Sequence, residues 1–146
     1  MKMDQDLRRA PRVNTSLPVT LLLRETGKNQ AIAEPIAASL TDMSIYGIRI
    51  TVPHIRFGDL HLFYSFNEEA SRVITLEVAD GEEKTLLVIP VHPVWYDQIL
   101  SEPSRPFLLG MEFLVQSDHP QVSRLDEIVR KQQPAAGWLK RLFQIA

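Results

Sequence analysis

Between Leu17 and Leu114 the apolar residues recur mostly at every second position, in short runs closed by Gly, Pro, Asn or Asp. Successive side chains of a strand point to opposite faces, so a period of two describes strands that bury one face. Several such runs with no helical pattern between them make an antiparallel all-β domain. The runs predict strands over residues 17–25, 31–41, 47–53, 59–66, 72–79, 84–96 and 106–115. In the third, Ile48, Ile50 and Val52 face a core while Arg49 and Thr51 face outward. Asp80-Gly81 joins two runs, and that pair favours positive φ at both central positions of a tight hairpin. Ten prolines are present, and because proline donates nothing to a ladder, Pro53, Pro90 and Pro93 are expected at strand ends, edges or bulges. Closing the sheet hides its edges. The predicted architecture is a six- to seven-stranded antiparallel β-barrel, and 146 residues suffice for one such domain.

The period changes after Ser117, Asp118 and Pro120, residues that start helices. Val122, Leu125, Ile128 and Val129 then share one helical face. Pro134 is expected to stop that helix. A second apolar stripe follows, Trp138, Leu139, Leu142 and Phe143, with Lys140 and Arg141 beside it. The expected organisation is a flexible arginine-rich arm over residues 1–12, a barrel with its C-terminal helix over 13–133, and a short amphipathic helix over 134–146. Packing on the barrel or on another subunit, a membrane surface, or a partner's groove would each suit that last stripe.

Several chemistries lack their residues. There is no cysteine, hence no disulfide, thiolate nucleophile or sulfur-ligated metal. His54, His61, His92 and His119 are scattered without ligand spacing, so no metal is expected. Glu68-Glu69 and Glu82-Glu83 are adjacent loop carboxylates, better suited to solubility than to acid/base work. No serine sits in a GxSxG elbow and no GxxxxGK[ST] loop occurs. The chain is expected not to be an enzyme and to carry no cofactor. A net charge of -2 and few, uninterleaved aromatics argue against a nucleic-acid polymer as partner. The polar N-terminus and the shortness of every apolar run predict a cytoplasmic protein without a membrane span.

Two motifs do carry chemistry. Arg8, Arg9, Ala10, Pro11 and Arg12 form an RxxxR pattern on the arm, with an extra arginine inside it. Asp42, Met43, Ser44, Ile45, Tyr46 and Gly47 form a DxSxxG pattern between the second and third predicted strands. Together they suit a guanine attached to phosphate. An arginine fork engages a phosphate, or the O6 and N7 acceptors of guanine, through two parallel hydrogen bonds. The N1 and N2 donors on guanine's opposite edge need an acceptor such as the Asp42 carboxylate, and Ser44 can both donate and accept. Gly47 permits positive φ and leaves no Cβ in the way of a ligand or a neighbouring strand.

RxxxR followed some twenty to thirty residues later by D/NxSxxG resembles the signature of PilZ domains, and both halves are complete. Ile48 to Val52, Gly58, Val94-Trp95 and the segment Leu109, Gly110, Met111, Glu112, Phe113 also look like that family's strands. The resemblance covers roughly residues 7 to 130. It implies a six-stranded barrel with a C-terminal helix that binds cyclic di-GMP at its outer rim. Arg8 and Arg12 would be the two motif arginines, Arg9 their basic neighbour, and Asp42, Ser44 and Gly47 the contacts on the barrel. The implied function is a cyclic di-GMP receptor, monomer or homodimer, that changes conformation on binding and signals to an unidentified protein partner. A PilZ-fold module that docks to its partner without ligand is the alternative.

Overall fold

A computed structural model describes residues 12–27 and 30–145, with side chains through residue 132. The predicted strands 17–25, 31–41, 47–53, 72–79, 84–96 and 106–115 are β1 (Val13–Glu25), β2 (Ile36–Met43), β3 (Gly47–Val52), β6 (Arg72–Asp80), β7 (Thr85–Gln98) and β8 (Phe107–Phe113). These six close into an antiparallel barrel in the order β1-β2-β3-β8-β7-β6. The alternation holds as read: Ile48, Ile50 and Val52 are at most 1% exposed, whereas Arg49 and Thr51 are half-buried on the outer side. Leu21, Leu23, Leu40, Leu76, Ile89 and Leu109 fill the same interior. Each such side chain contributes about 1.5 to 3 kcal/mol by leaving water.

The predicted strand over 59–66 is corrected. Only Leu60–His61 is extended, as β5, and it pairs with β4 (Arg56–Phe57) in a small separate hairpin. The chain then turns into the short helix α1 (Tyr64–Glu68). His61 causes the change: its Nδ1 accepts the N–H groups of Phe63 and Tyr64, each at 3.1 Å, while its own N–H donates to Ser65 Oγ at 2.8 Å. That reciprocal pairing satisfies donors that a helix start leaves open. Burial holds the His61 imidazole below its ordinary pKa, and the nearby Arg56 charge pushes it the same way.

The hairpin at Asp80 forms, but its turn differs from the expectation. Asp80 pairs with Thr85 across a four-residue loop, and the positive φ falls on Lys84, at 54°, instead of on Asp80 and Gly81. Pro53 follows the end of β3 and Pro93 sits at a register shift in the β7–β8 ladder, as prolines should. Pro90 instead keeps register with Thr75 and lends only its carbonyl, to the Leu114 N–H at 3.0 Å.

The C-terminal helix, α2 (Pro120–Ile145), runs as one element. The expected stop at Pro134 does not occur: a proline inside a helix removes one hydrogen bond and crowds the preceding turn, which bends helices without having to end them. Val122, Leu125 and Val129 are wholly buried and Ile128 partly so. Arg124 anchors the same helix to the β6–β7 hairpin, donating from Nε to Asp80 Oδ2 at 2.6 Å and from Nη2 to Asp80 Oδ1 at 2.9 Å. No helix among the described residues is long and apolar enough to cross a membrane.

Candidate ligand-binding site

The site grows from the register of three strands. β1 pairs Val13 with Met43 and Asn14 with Asp42, which brings the root of the arm beside the DxSxxG segment thirty residues away. Arg12, the residue just before β1, donates from Nη1 to Asp42 Oδ1 at 2.9 Å. On the other side of β2, Asp42 is the cross-strand partner of Arg49 on β3. The Arg49 Nε lies 3.0 Å from Oδ1 and 2.8 Å from Oδ2. One carboxylate, 6% exposed, thus sits between two guanidinium groups whose side chains remain about a third exposed, at 31% and 35%.

The turn between β2 and β3 is tied by its own atoms. The Ser44 N–H donates to the Gly47 carbonyl at 2.9 Å, and the Tyr46 N–H donates to Ser44 Oγ at 3.2 Å. Ser44 is buried, while Ile45 and Tyr46 stand exposed at the tip. Of the two reasons expected for Gly47, positive φ is corrected and room for the neighbouring strand holds. It does not adopt positive φ; a Cβ there would lie 2.3 Å from the Met111 carbonyl oxygen of β8. Only glycine lets the two backbones approach so closely.

Arg12, Ser44, Gly47 and Arg49 line an open cleft of about 730 Å³, whose other wall includes Trp95 and Gly110. Trp95 owes its place to the shift in the β7–β8 ladder between Pro93 and Trp95, which leaves Val94 and Trp95 both facing outward. Such bulges re-aim side chains. Its cross-strand partner is Gly110, and a Cβ on Gly110 would lie 2.3 Å from the indole, so the ring rests directly on the glycine. Glu112 and Asp118 also line the cleft. Two arginines face two carboxylates there, and Asp42, held between the arginines, is a third carboxylate, so the described side chains give the site one more negative charge than positive.

Of the sequence-predicted residues, Arg12, Asp42, Ser44 and Gly47 are gathered within this small region. Arg8 and Arg9 lie outside the described residues. Sequence reasoning read Arg49 only as an outward-facing position and did not enlist Trp95 or Gly110 in the site. The signal for Arg49 was its place two residues after Gly47, on the same outer face as that glycine. Among the described residues no group of three His, Asp or Glu side chains could hold a metal ion.

No protein-family model matches the chain, and no curated protein sequence matches it significantly. Solved structures do. The PilZ domain of YcgR from Escherichia coli, solved with c-di-GMP, superposes with a TM-score of 0.57 at 17% identity, covering 88% of this chain and 93% of that one. PlzA of Borreliella burgdorferi, in complex with c-di-GMP, gives a TM-score of 0.48 at 12% identity over 90% of this chain and 59% of that one. The barrel therefore has the PilZ-domain fold.

Proposed function

We propose that the chain is a cyclic di-GMP receptor that takes its ligand in the cleft between the arm and the β2–β3 turn. The observation that carries the reading is the convergence on Asp42 of Arg12 and Arg49, two arginines that line that cleft. Asp42 is an acceptor for guanine N1 and N2 donors, and Arg12 is a fork for the ligand's O6 and N7 or for a phosphate. Nucleotide binding is then an exchange: Arg12 leaves Asp42 Oδ1 for the ligand, and guanine takes the place vacated on Oδ1 together with a further lone pair on Oδ2. Asp42 keeps Arg49 throughout, so the exchange replaces one part-buried hydrogen bond and leaves no carboxylate unpaired.

Because the site's described carboxylates, Asp42, Glu112 and Asp118, outnumber its arginines, Arg12 and Arg49, the attraction for two phosphates falls to Arg8 and Arg9. The phosphates would neutralise the arm, and the arm held on the ligand is the surface that a protein partner would read. The motifs Arg8-Arg9-Ala10-Pro11-Arg12 and Asp42 to Gly47 and the PilZ fold support this reading together.

Calorimetric titration with cyclic di-GMP tests it. A truncated hydrogen bond to a charged group costs about 1.5 to 3 kcal/mol, so Arg12→Ala and Asp42→Ala should each weaken binding about 10- to 150-fold. Absence of heat with the intact protein removes the receptor reading and leaves the ligand-independent docking module. Equal affinity in all three proteins removes the site as drawn.

A further inference from the structure

We infer that Arg49 is a positioning residue that sets the selectivity of the site for guanine, an inference that rests on the receptor reading above. Asp42 is 6% exposed with both arginines in place, and if Arg12 moves to the ligand it loses one of these two partners. A buried carboxylate left alone is costly and free to rotate. Arg49 prevents both. It stands on β3 directly across the ladder from Asp42, and its Nε touches both carboxylate oxygens. Its backbone is held in turn by Thr41, whose hydroxyl donates to the Arg49 carbonyl at 3.1 Å. Arg12 precedes the first strand, whereas Arg49 is fixed inside a strand of a closed barrel.

The selectivity follows from geometry. Guanine presents two donors on this edge, N1–H and the N2 amino group, and a carboxylate accepts both only when its two oxygens lie in the plane of the base. Arg49, with its Nε at 3.0 Å from Oδ1 and 2.8 Å from Oδ2, restrains rotation of that plane. The Nη groups of Arg49 have no hydrogen-bond partner among the described residues, and the side chain lines the cleft, so their donors remain available without releasing Asp42. Hypoxanthine is the informative probe, since it keeps O6, N7 and N1–H and lacks only the N2 amino group.

The experiment compares cyclic di-GMP with cyclic di-IMP by calorimetry on the full chain. The intact protein should prefer the guanine ligand by about 10- to 150-fold, the size of one hydrogen bond to a charged group. Arg49→Ala should weaken cyclic di-GMP and collapse that preference to below about 3-fold, because a loosened carboxylate keeps one bond and loses the other. Arg49→Lys, which returns the charge to the same strand position, should restore much of the preference, whereas Arg49→Gln should not. Arg12→Ala should weaken both ligands alike and leave the preference intact. A merely structural defect at Arg49 would lower both affinities in proportion, so an unchanged ratio in Arg49→Ala, or no rescue by lysine, overturns the inference. Failure of the intact protein to bind either nucleotide would instead strike at the receptor reading itself.

Discussion

The barrel carries two carboxylates that are nearly buried and paired with arginine, and their surroundings are opposite. Asp80 is 2% exposed and receives Arg124 through both Nε and Nη2, with the Glu83 N–H as a third donor. The Arg124 side chain is itself only 18% exposed and also reaches Glu82 and Glu127. Asp42 is comparably shielded, but its two arginines are about a third exposed and face a cleft. A closed fork fastens a helix to a hairpin. An open pair can trade one partner for a ligand. Residue type does not separate the two cases; what surrounds the guanidinium does.

If the Asp80 end only fastens, weakening it should cost stability and spare the nucleotide. The largest effect is expected from Leu125→Ala, which empties a wholly buried position on the face that α2 lays on the barrel, one residue from Arg124. Removing such a side chain should lower unfolding stability by about 2 to 5 kcal/mol in a denaturant titration. Affinity for cyclic di-GMP should stay within a factor of about 2, because sites with no shared partners act additively. A Leu125→Ala protein that folds but binds poorly would join the two ends into one unit and erase the distinction drawn between them.

Much of this arrangement was legible in the order of residues. Ile48, Ile50 and Val52 announced a strand and its buried face, and the two motifs pointed to Arg12 and Asp42, which the fold brings to 2.9 Å. Legibility failed where tertiary context decided. Leu60, Leu62, Tyr64 and Phe66 read as alternation, yet the buried pair is Leu62, in the turn before α1, and Phe66, four residues on and within it, and short apolar runs do not separate the two periods. The role of Arg49 depended on register. The β2–β3 ladder shifts between Leu40 and Asp42, and no local rule says which outward residue of β3 then meets Asp42. Trp95 was hidden for the same reason, since a bulge reverses the alternation just before it. The kink-or-stop ambiguity of proline accounts for Pro134.

Acid sharpens the comparison further. Hydrogen bonds from Arg124 hold the Asp80 carboxyl down at about 2, against burial, which pushes it up, and below the ordinary value of 3.8. The folded value is the lower one, so between about pH 4 and pH 2 the unfolded chain binds more protons than the folded one. The stabilisation from this pair is therefore complete above about pH 4 and drains away as pH falls through about 2. Thermal midpoints recorded from pH 5 to pH 2 should drop across that window in the intact protein and drop less steeply in Asp80→Asn. Parallel slopes would mean that Asp80 is not the fastening described.

The smallest effect is expected at the cleft wall, from Gly110→Ala. The new Cβ would need the space that the Trp95 indole occupies, at 2.3 Å from its Nε1. Trp95 is 39% exposed, so the ring can yield toward solvent, and the stability cost should stay near ~1 kcal/mol, the low end for overpacking. The position of the ring, not the fold, is what changes. In a Trp138→Phe background, which leaves Trp95 as the single tryptophan of the chain, the emission should shift to the red and cyclic di-GMP should bind a few-fold more weakly. A red-shifted ring with undiminished affinity would remove Trp95 from the site and confine recognition to the Arg12, Asp42 and Arg49 corner. No emission change at all would contradict the packing of the indole on Gly110.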